Sequence, residues 1–123
     1  MNKSVLIVDS SSVMRRVIER SLRLAGIEAQ QIYEAAAGDE ALSLAQLHQP
    51  DLILTEINLA GMEGLSLVRS LRQSGATADL PVVIISSQAG ESHVHEALEL
   101  GVRGYIRKPF TADQVRDYIA DFF

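Results

Sequence analysis

The chain contains no cysteine, which removes disulfide cross-links and thiolate metal centres from consideration and fits a reducing cytoplasm. Proline is scarce, with three residues in 123, and 47% of the residues are hydrophobic, so neither disorder nor a low-complexity tract is expected. No positively charged start is followed by a long apolar stretch; Val5 to Val8 is closed at once by Asp9. A signal peptide or a membrane span is therefore not expected. Basic residues are outnumbered, 11 against 16 acidic, for a formal charge of −5, which argues against direct nucleic-acid binding. Neither G-x-G-x-x-G nor G-x-x-x-x-G-K-[ST] occurs, so the usual dinucleotide and triphosphate loops are absent. What remains is a small acidic domain over residues 1–123, long enough to bury a core.

The runs that are present alternate. Ser4 to Val8 is rich in β-branched residues and ends in Asp9-Ser10-Ser11-Ser12, one of whose serines can cap the following helix. In that helix Val13, Val17, Ile18 and Leu22 recur at helical spacing up to Gly26. Its arginines, Arg15, Arg16, Arg20 and Arg23, read as a solvated face with Glu19 interleaved. Gln31 to Glu34 is a half-polar strand. A helix follows from near Asp39 and stops at His48-Gln49-Pro50, where an imidazole suits the helix C-terminus. Asp51 to Thr55 is an apolar strand, Met62 to Ser74 a helix, and Pro81 to Ile85 the clearest strand. Glu91 to Leu100 is a helix closed by Gly101, and Arg103 to Ile106 a short last strand. Thr111 caps a terminal helix carrying Val115, Ile119 and Phe122.

Five strand–helix units in alternation demand a parallel sheet with right-handed crossovers. At this length they predict an α/β, flavodoxin-like, doubly wound five-stranded sheet of order 2-1-3-4-5 with five helices. In such sheets ligands bind beyond the carboxyl ends of the strands. The polar residues placed there are Asp9 and Ser10, Glu56 and Asn58, Ser86 and Ser87, and Lys108, next to Pro109. Taken singly, each has a bland reading; an aspartate after a strand is commonly a helix cap. Together, carboxylates and hydroxyls suit a hard cation such as Mg²⁺, and a lysine beside them suits a phosphoryl group.

These residues lie in motifs that resemble the response-regulator receiver family, and more narrowly its single-domain chemotaxis type. The motifs are Val5-Leu6-Ile7-Val8-Asp9 with Ser12-Val13-Met14-Arg15-Arg16, Pro50-Asp51-Leu52-Ile53-Leu54, Gly61-Met62-Glu63-Gly64, Pro81 through Ser86, and Gly104-Tyr105-Ile106-Arg107-Lys108-Pro109-Phe110. The resemblance runs essentially end to end. It implies that Glu56 stands at the phosphoacceptor position. Asp9 and Ser10 stand at a Mg²⁺-binding acidic pair, and Asn58 would add a backbone carbonyl to the metal. Ser86 corresponds to the switch hydroxyl, Lys108 to the phosphoryl-pairing lysine and Tyr105 to the switch aromatic. The implied partner is a protein, such as a histidine kinase, an output protein or a motor protein. It would read the fourth helix, fifth strand and fifth helix, in segments that include Val94, Leu98, Tyr105 and Val115.

The departures carry the functional expectation. Glu56 and Ser10 replace two aspartate-type residues, Ala60 stands where proline is usual, and Ser87 where alanine or glycine is. Glutamate carries its oxygens roughly a C–C bond further out, and misplacement by about 1 Å can cost around a hundredfold in attack. The longer arm also reaches toward Lys108 and Ser86, predicting an ion pair in the phosphoryl space. Ser10 weakens the Mg²⁺ site by replacing an anionic ligand. The leading reading is a phosphorylation-independent pseudo-receiver acting through protein–protein contacts, not an enzyme. A working phosphoryl-accepting regulator and a flavodoxin-like binder of a small ligand are its alternatives. His93 and His95, two apart on a helix, share no face and predict no metal site. Phe122-Phe123 reads either as a packing anchor or as a truncation edge.

Overall fold

Three of the apolar runs are buried on both faces because their strands lie in the middle of the sheet. In the computed structural model, which describes residues 3–59, 61–87, 91–120 and 123, the strands are β1 (Ser4–Val8), β2 (Gln31–Ala35), β3 (Leu52–Thr55), β4 (Val82–Ser86) and β5 (Gly104–Arg107). Helices α1 (Ser12–Leu24), α2 (Gly38–His48), α3 (Gly64–Gln73), α4 (Glu91–Glu99) and α5 (Ala112–Ile119) alternate with them. All pairings are parallel, in the order β2-β1-β3-β4-β5. The predicted flavodoxin-like order is therefore the observed one. The half-polar composition of β2 now has a reason: it is an edge strand, open to solvent on one side.

Side chains alternate across the sheet and divide the core in two. Val5, Ile7, Leu52, Leu54, Val83 and Ile85 meet α1 and α5, whereas Leu6, Val8, Ile53, Val82 and Ile84 meet α2, α3 and α4. Two helix starts are capped as their sequences suggest. Ser11 Oγ accepts from the Met14 amide at 3.1 Å, and Thr111 forms a reciprocal capping box with Gln114. Gly26 and Gly101 close α1 and α4 at φ of 77°, a conformation favouring glycine.

The four apolar residues that recur at helical spacing on α1 do not share one face. Val13 and Val17 face solvent, 65% and 43% exposed, while Ile18 and Leu22 are buried with Met14 and Ala25 packed beside them. Helix α1 carries two apolar stripes about 100° apart, and a periodicity of 3.6 does not say which one meets the sheet. Smaller shifts occur at element ends. Helix α3 starts at Gly64 rather than Met62 and stops at Gln73, while β5 starts one residue later than expected. Strand β4 begins after Pro81, which cannot donate to the ladder but whose carbonyl accepts from Ile53 at 2.9 Å. Ala60 and Phe122 lie outside the described residues. Phe123 packs against the α1/α5 side of the core, with Lys3 Nζ 5.0 Å from its ring centre.

Helix α3 also holds α4 in place. Arg72 donates to the carbonyls of Leu100 at 2.9 Å, Ala78 at 3.1 Å, Leu80 at 2.8 Å and Gly101 at 3.4 Å. Burial pushes its guanidinium below the ordinary arginine value, with Asp79 opposing. Removing one cation here strands the carbonyls of Leu100 and Gly101, just after α4, and those of Ala78 and Leu80, in the loop before β4. Arg72→Ala is expected to cost about 2–3 kcal/mol, read as a lower urea midpoint at unchanged slope.

Candidate functional site

The polar rim is built by the backbone before any side chain acts. Each site residue is tethered to a neighbouring strand: Asp9 N to Ala35 O at 3.1 Å, Glu56 N to Val8 O at 3.0 Å, and Lys108 N to Ser86 O at 3.0 Å. Because the strands are parallel, all these ends face the same way. Asp9, Glu56 and Ser86 are buried there, at 3%, 6% and 0% exposure.

Burying two carboxylates demands a counter-charge and hydrogen bonds to the remaining oxygens. Lys108 supplies the charge, its Nζ 2.7 Å from Asp9 Oδ2 and 3.4 Å from Glu56 Oε1. The amide of Ser11 donates to Asp9 Oδ1 at 2.9 Å, and that of Ile57 to Glu56 Oε2 at 2.9 Å. All four carboxylate oxygens thus have a donor within the chain. The Glu56–Lys108 pair expected from the longer side chain is present, although Asp9 holds the ammonium more closely. The Lys108–Pro109 peptide is cis.

Tyr105 is half-buried and adjoins this triad. Burial raises its pKa above that of free tyrosine, a hydrogen bond with Ser86 lowers it, and the Glu56 charge raises it further. The net shift is upward, so the phenol stays neutral beside the carboxylate. The Tyr105 hydroxyl and the Ser86 side chain are therefore brought together at the rim. Ser10, Asn58 and Ser87, by contrast, are exposed and lie at its margin.

Two residues quoted in the motifs were given no site role from the sequence. Arg15 is not on a solvated face: Nη1 donates to the Asp9 carbonyl at 2.6 Å and Nε to Glu34 Oε1 at 2.9 Å. It pins the loop that presents Asp9, and its place in the first turn after that loop was the available signal. Gly64 is the other. A Cβ there would lie 2.1 Å from the Glu56 carbonyl oxygen and 2.8 Å from Ile57 Cα, so only glycine lets α3 approach the Glu56 turn. Gly64→Ala is expected to destabilise by about 3 kcal/mol or more, through backbone displacement. Thermal melts check the loss, and Glu56 and Ile57 amide resonances should move with it.

For a hard cation the donor set is short. Of the ligands the resemblance implies, Asp9 and Glu56 meet at the rim but are both paired with Lys108, which a metal would have to displace; Ser10 brings no charge, and Asn58 would add only a backbone carbonyl. These residues fit a weak Mg²⁺ site at most. Among the described residues no group of three or more His, Cys, Asp or Glu side chains is placed to hold a metal. His95 instead pairs with Glu99 at 2.8 Å, and His48 stacks on Tyr33 with ring centres 4.1 Å apart. Among the described residues, no helix is long and apolar enough to cross a membrane.

Comparison with known proteins gives the family and the fold. The family described as response regulator receiver domain matches residues 5–120. Chemotaxis protein CheY-3 of Vibrio cholerae is 36% identical over 122 residues, covering 99% of this chain and 92% of the relative. Among solved structures, chemotaxis protein CheY4 of V. cholerae superposes with a TM-score of 0.86 at 25% identity, covering all of both chains. The receiver domain of sensor histidine kinase PA1611 from Pseudomonas aeruginosa, solved with a magnesium ion coordinated in its active-site cleft, shares the fold. Its TM-score is 0.83 at 24% identity, covering 99% of this chain and 98% of that one. A match of that length, on a sheet whose strand order was already expected, shows that this chain belongs to the response-regulator receiver family of two-component signalling.

Proposed function

We propose that this receiver acts without phosphorylation, as a protein-interaction module whose rim is closed by its own charges. The observation that carries the reading is that every oxygen of Asp9 and Glu56 is already hydrogen-bonded or ion-paired inside the chain. An incoming phosphoryl group would meet an occupied lysine and a nucleophile displaced by one methylene. The test is intact mass after incubation with acetyl phosphate and Mg²⁺. The native chain is expected to gain no adduct, and a near-stoichiometric, hydroxylamine-labile adduct on Glu56 would sink the reading. The 3.4 Å arm between Lys108 and Glu56 favours one alternative, a regulator that accepts phosphoryl slowly; a small but rising adduct fraction would identify it.

In this reading Glu56, Lys108, Ser86 and Tyr105 set one state of the surface formed by α4, β5 and α5, which a histidine kinase, an output protein or a motor protein would read. Leu98 and Tyr118 are exposed on it, at 59% and 45%, whereas Val115 is fully buried and belongs to the core. A fixed carboxylate biases a switch only through unequal contact with its two states. Glu56→Gln, which removes charge and keeps size, is therefore expected to move amide resonances at Tyr105 and along α4. In a Tyr105→Ala background that propagation should stop. Propagation that continues unchanged would show that Tyr105 carries no switch.

A further inference from the structure

Strand β3 ends in a hydroxyl after an apolar run, Leu52-Ile53-Leu54-Thr55. Thr55 lies in the middle strand of the sheet and is 1% exposed. A hydroxyl buried there needs an acceptor. Thr55 Oγ1 donates to the carbonyl of the next residue, Glu56, at 3.0 Å. Buried Gly64 crowds the same oxygen, since a Cβ there would lie 2.1 Å from it. The Glu56 carbonyl is thus fixed by both β3 and α3.

The peptide unit joining Glu56 to Ile57 is planar, so holding its carbonyl also sets the direction of its N–H. That N–H donates to Oε2 of Glu56 itself, at 2.9 Å. The side chain therefore folds back on its own backbone instead of extending away from it. Oε2 is taken up by this contact, which leaves Oε1 to face Lys108 at 3.4 Å. Asp9 Oδ2 lies closer to the same ammonium, at 2.7 Å. How Lys108 is shared between the two carboxylates thus depends on which way one peptide unit points.

We propose that Thr55 is a positioning residue for the rim. Its hydroxyl orients the Glu56–Ile57 peptide so that Glu56 is clipped to its own backbone and shares Lys108 through a single oxygen. The consequence for the partner surface rests on the reading of the rim as closed; the clip itself does not.

The experiment compares the native chain with Thr55→Val, which keeps the shape and removes the hydroxyl, and Thr55→Ser, which keeps the hydroxyl and removes the methyl. In the native chain a scalar coupling across the hydrogen bond is expected between the Ile57 nitrogen and the Glu56 carboxyl carbon. Thr55→Val should abolish it and speed exchange of the Ile57 amide at least about tenfold, the effect of losing roughly one hydrogen bond. The Glu56 amide, bonded to the Val8 carbonyl at 3.0 Å, should keep its native exchange, and Thr55→Ser should keep both the coupling and the native Ile57 rate. A role in packing alone predicts the reverse order, with Thr55→Ser the more damaging. That order, or no coupling in the native chain, overturns the proposal. Freed from the clip, both Glu56 oxygens turn toward Lys108, so Thr55→Val should displace the Tyr105 amide resonance opposite to Glu56→Gln, which weakens that pull. Displacement in the same direction overturns the link to the surface. A phosphoryl adduct on the native chain would sink the closed-rim reading and leave the clip standing, whereas native coupling in Thr55→Val without any adduct would sink the clip alone.

Discussion

Ser10→Asp combined with Glu56→Asp is expected to take up a phosphoryl group from acetyl phosphate at least about a hundredfold faster than the native chain. Both changes are needed, for different reasons. Shortening Glu56 withdraws its oxygens from Lys108 and returns the carboxylate to attacking distance, so that a carboxylate oxygen can attack phosphorus as acetate leaves. It does nothing for the cation site, where Asp9 and a backbone carbonyl would still act almost alone. Ser10→Asp supplies the missing anionic ligand but leaves the nucleophile too long and ion-paired. The expected order of adduct formation is therefore the double variant first, Glu56→Asp second, and Ser10→Asp indistinguishable from native. Initial rates by intact mass at fixed Mg²⁺ decide it. A double variant no faster than native would show that something other than these two positions closes the rim.

Lys108→Met is expected to be the most damaging single change at the rim, costing about 3–5 kcal/mol at neutral pH. The lysine side chain is only 14% exposed, and the carboxylates it joins are 5% and 7% exposed. Without the ammonium, two buried like charges face each other. The folded variant then takes up a proton that the unfolded chain, with ordinary carboxylates, does not hold. Since the folded state binds more protons, its stability falls as pH rises and recovers as pH drops toward about 5. Urea unfolding at a series of pH values measures this directly. Adding Glu56→Gln should restore a large part of the loss by removing one of the two charges, and the resulting double-mutant cycle gives the coupling between the pair. A loss that does not vary with pH would mean that Lys108 contributes packing rather than charge.

The parts of this structure legible in the sequence are those fixed by neighbouring residues. The runs ending in Val8, Thr55 and Ser86 are continuous and apolar because their strands are covered on both faces. The Thr111–Gln114 box joins groups three residues apart. Strand alternation with right-handed crossovers then leaves few ways to order the sheet. The rim residues were legible for the same reason, since a parallel sheet sends every strand's carboxyl end to one side.

What tertiary structure alone decided depends on contacts distant in sequence or on a choice between equivalent faces. Lys108 and Asp9 are 99 residues apart, and nothing local says that the ammonium lies closer to Asp9 than to Glu56. Gly64 and Arg72 read as ordinary helix residues until the Glu56 turn and the end of α4 come against them. On α1, the Met14–Ile18–Leu22 stripe and the Val13–Val17–Leu24 stripe have the same period. Only packing against the sheet and α5 turned the first inward and left the second facing solvent, because periodicity fixes the spacing of a stripe but not the direction in which it points.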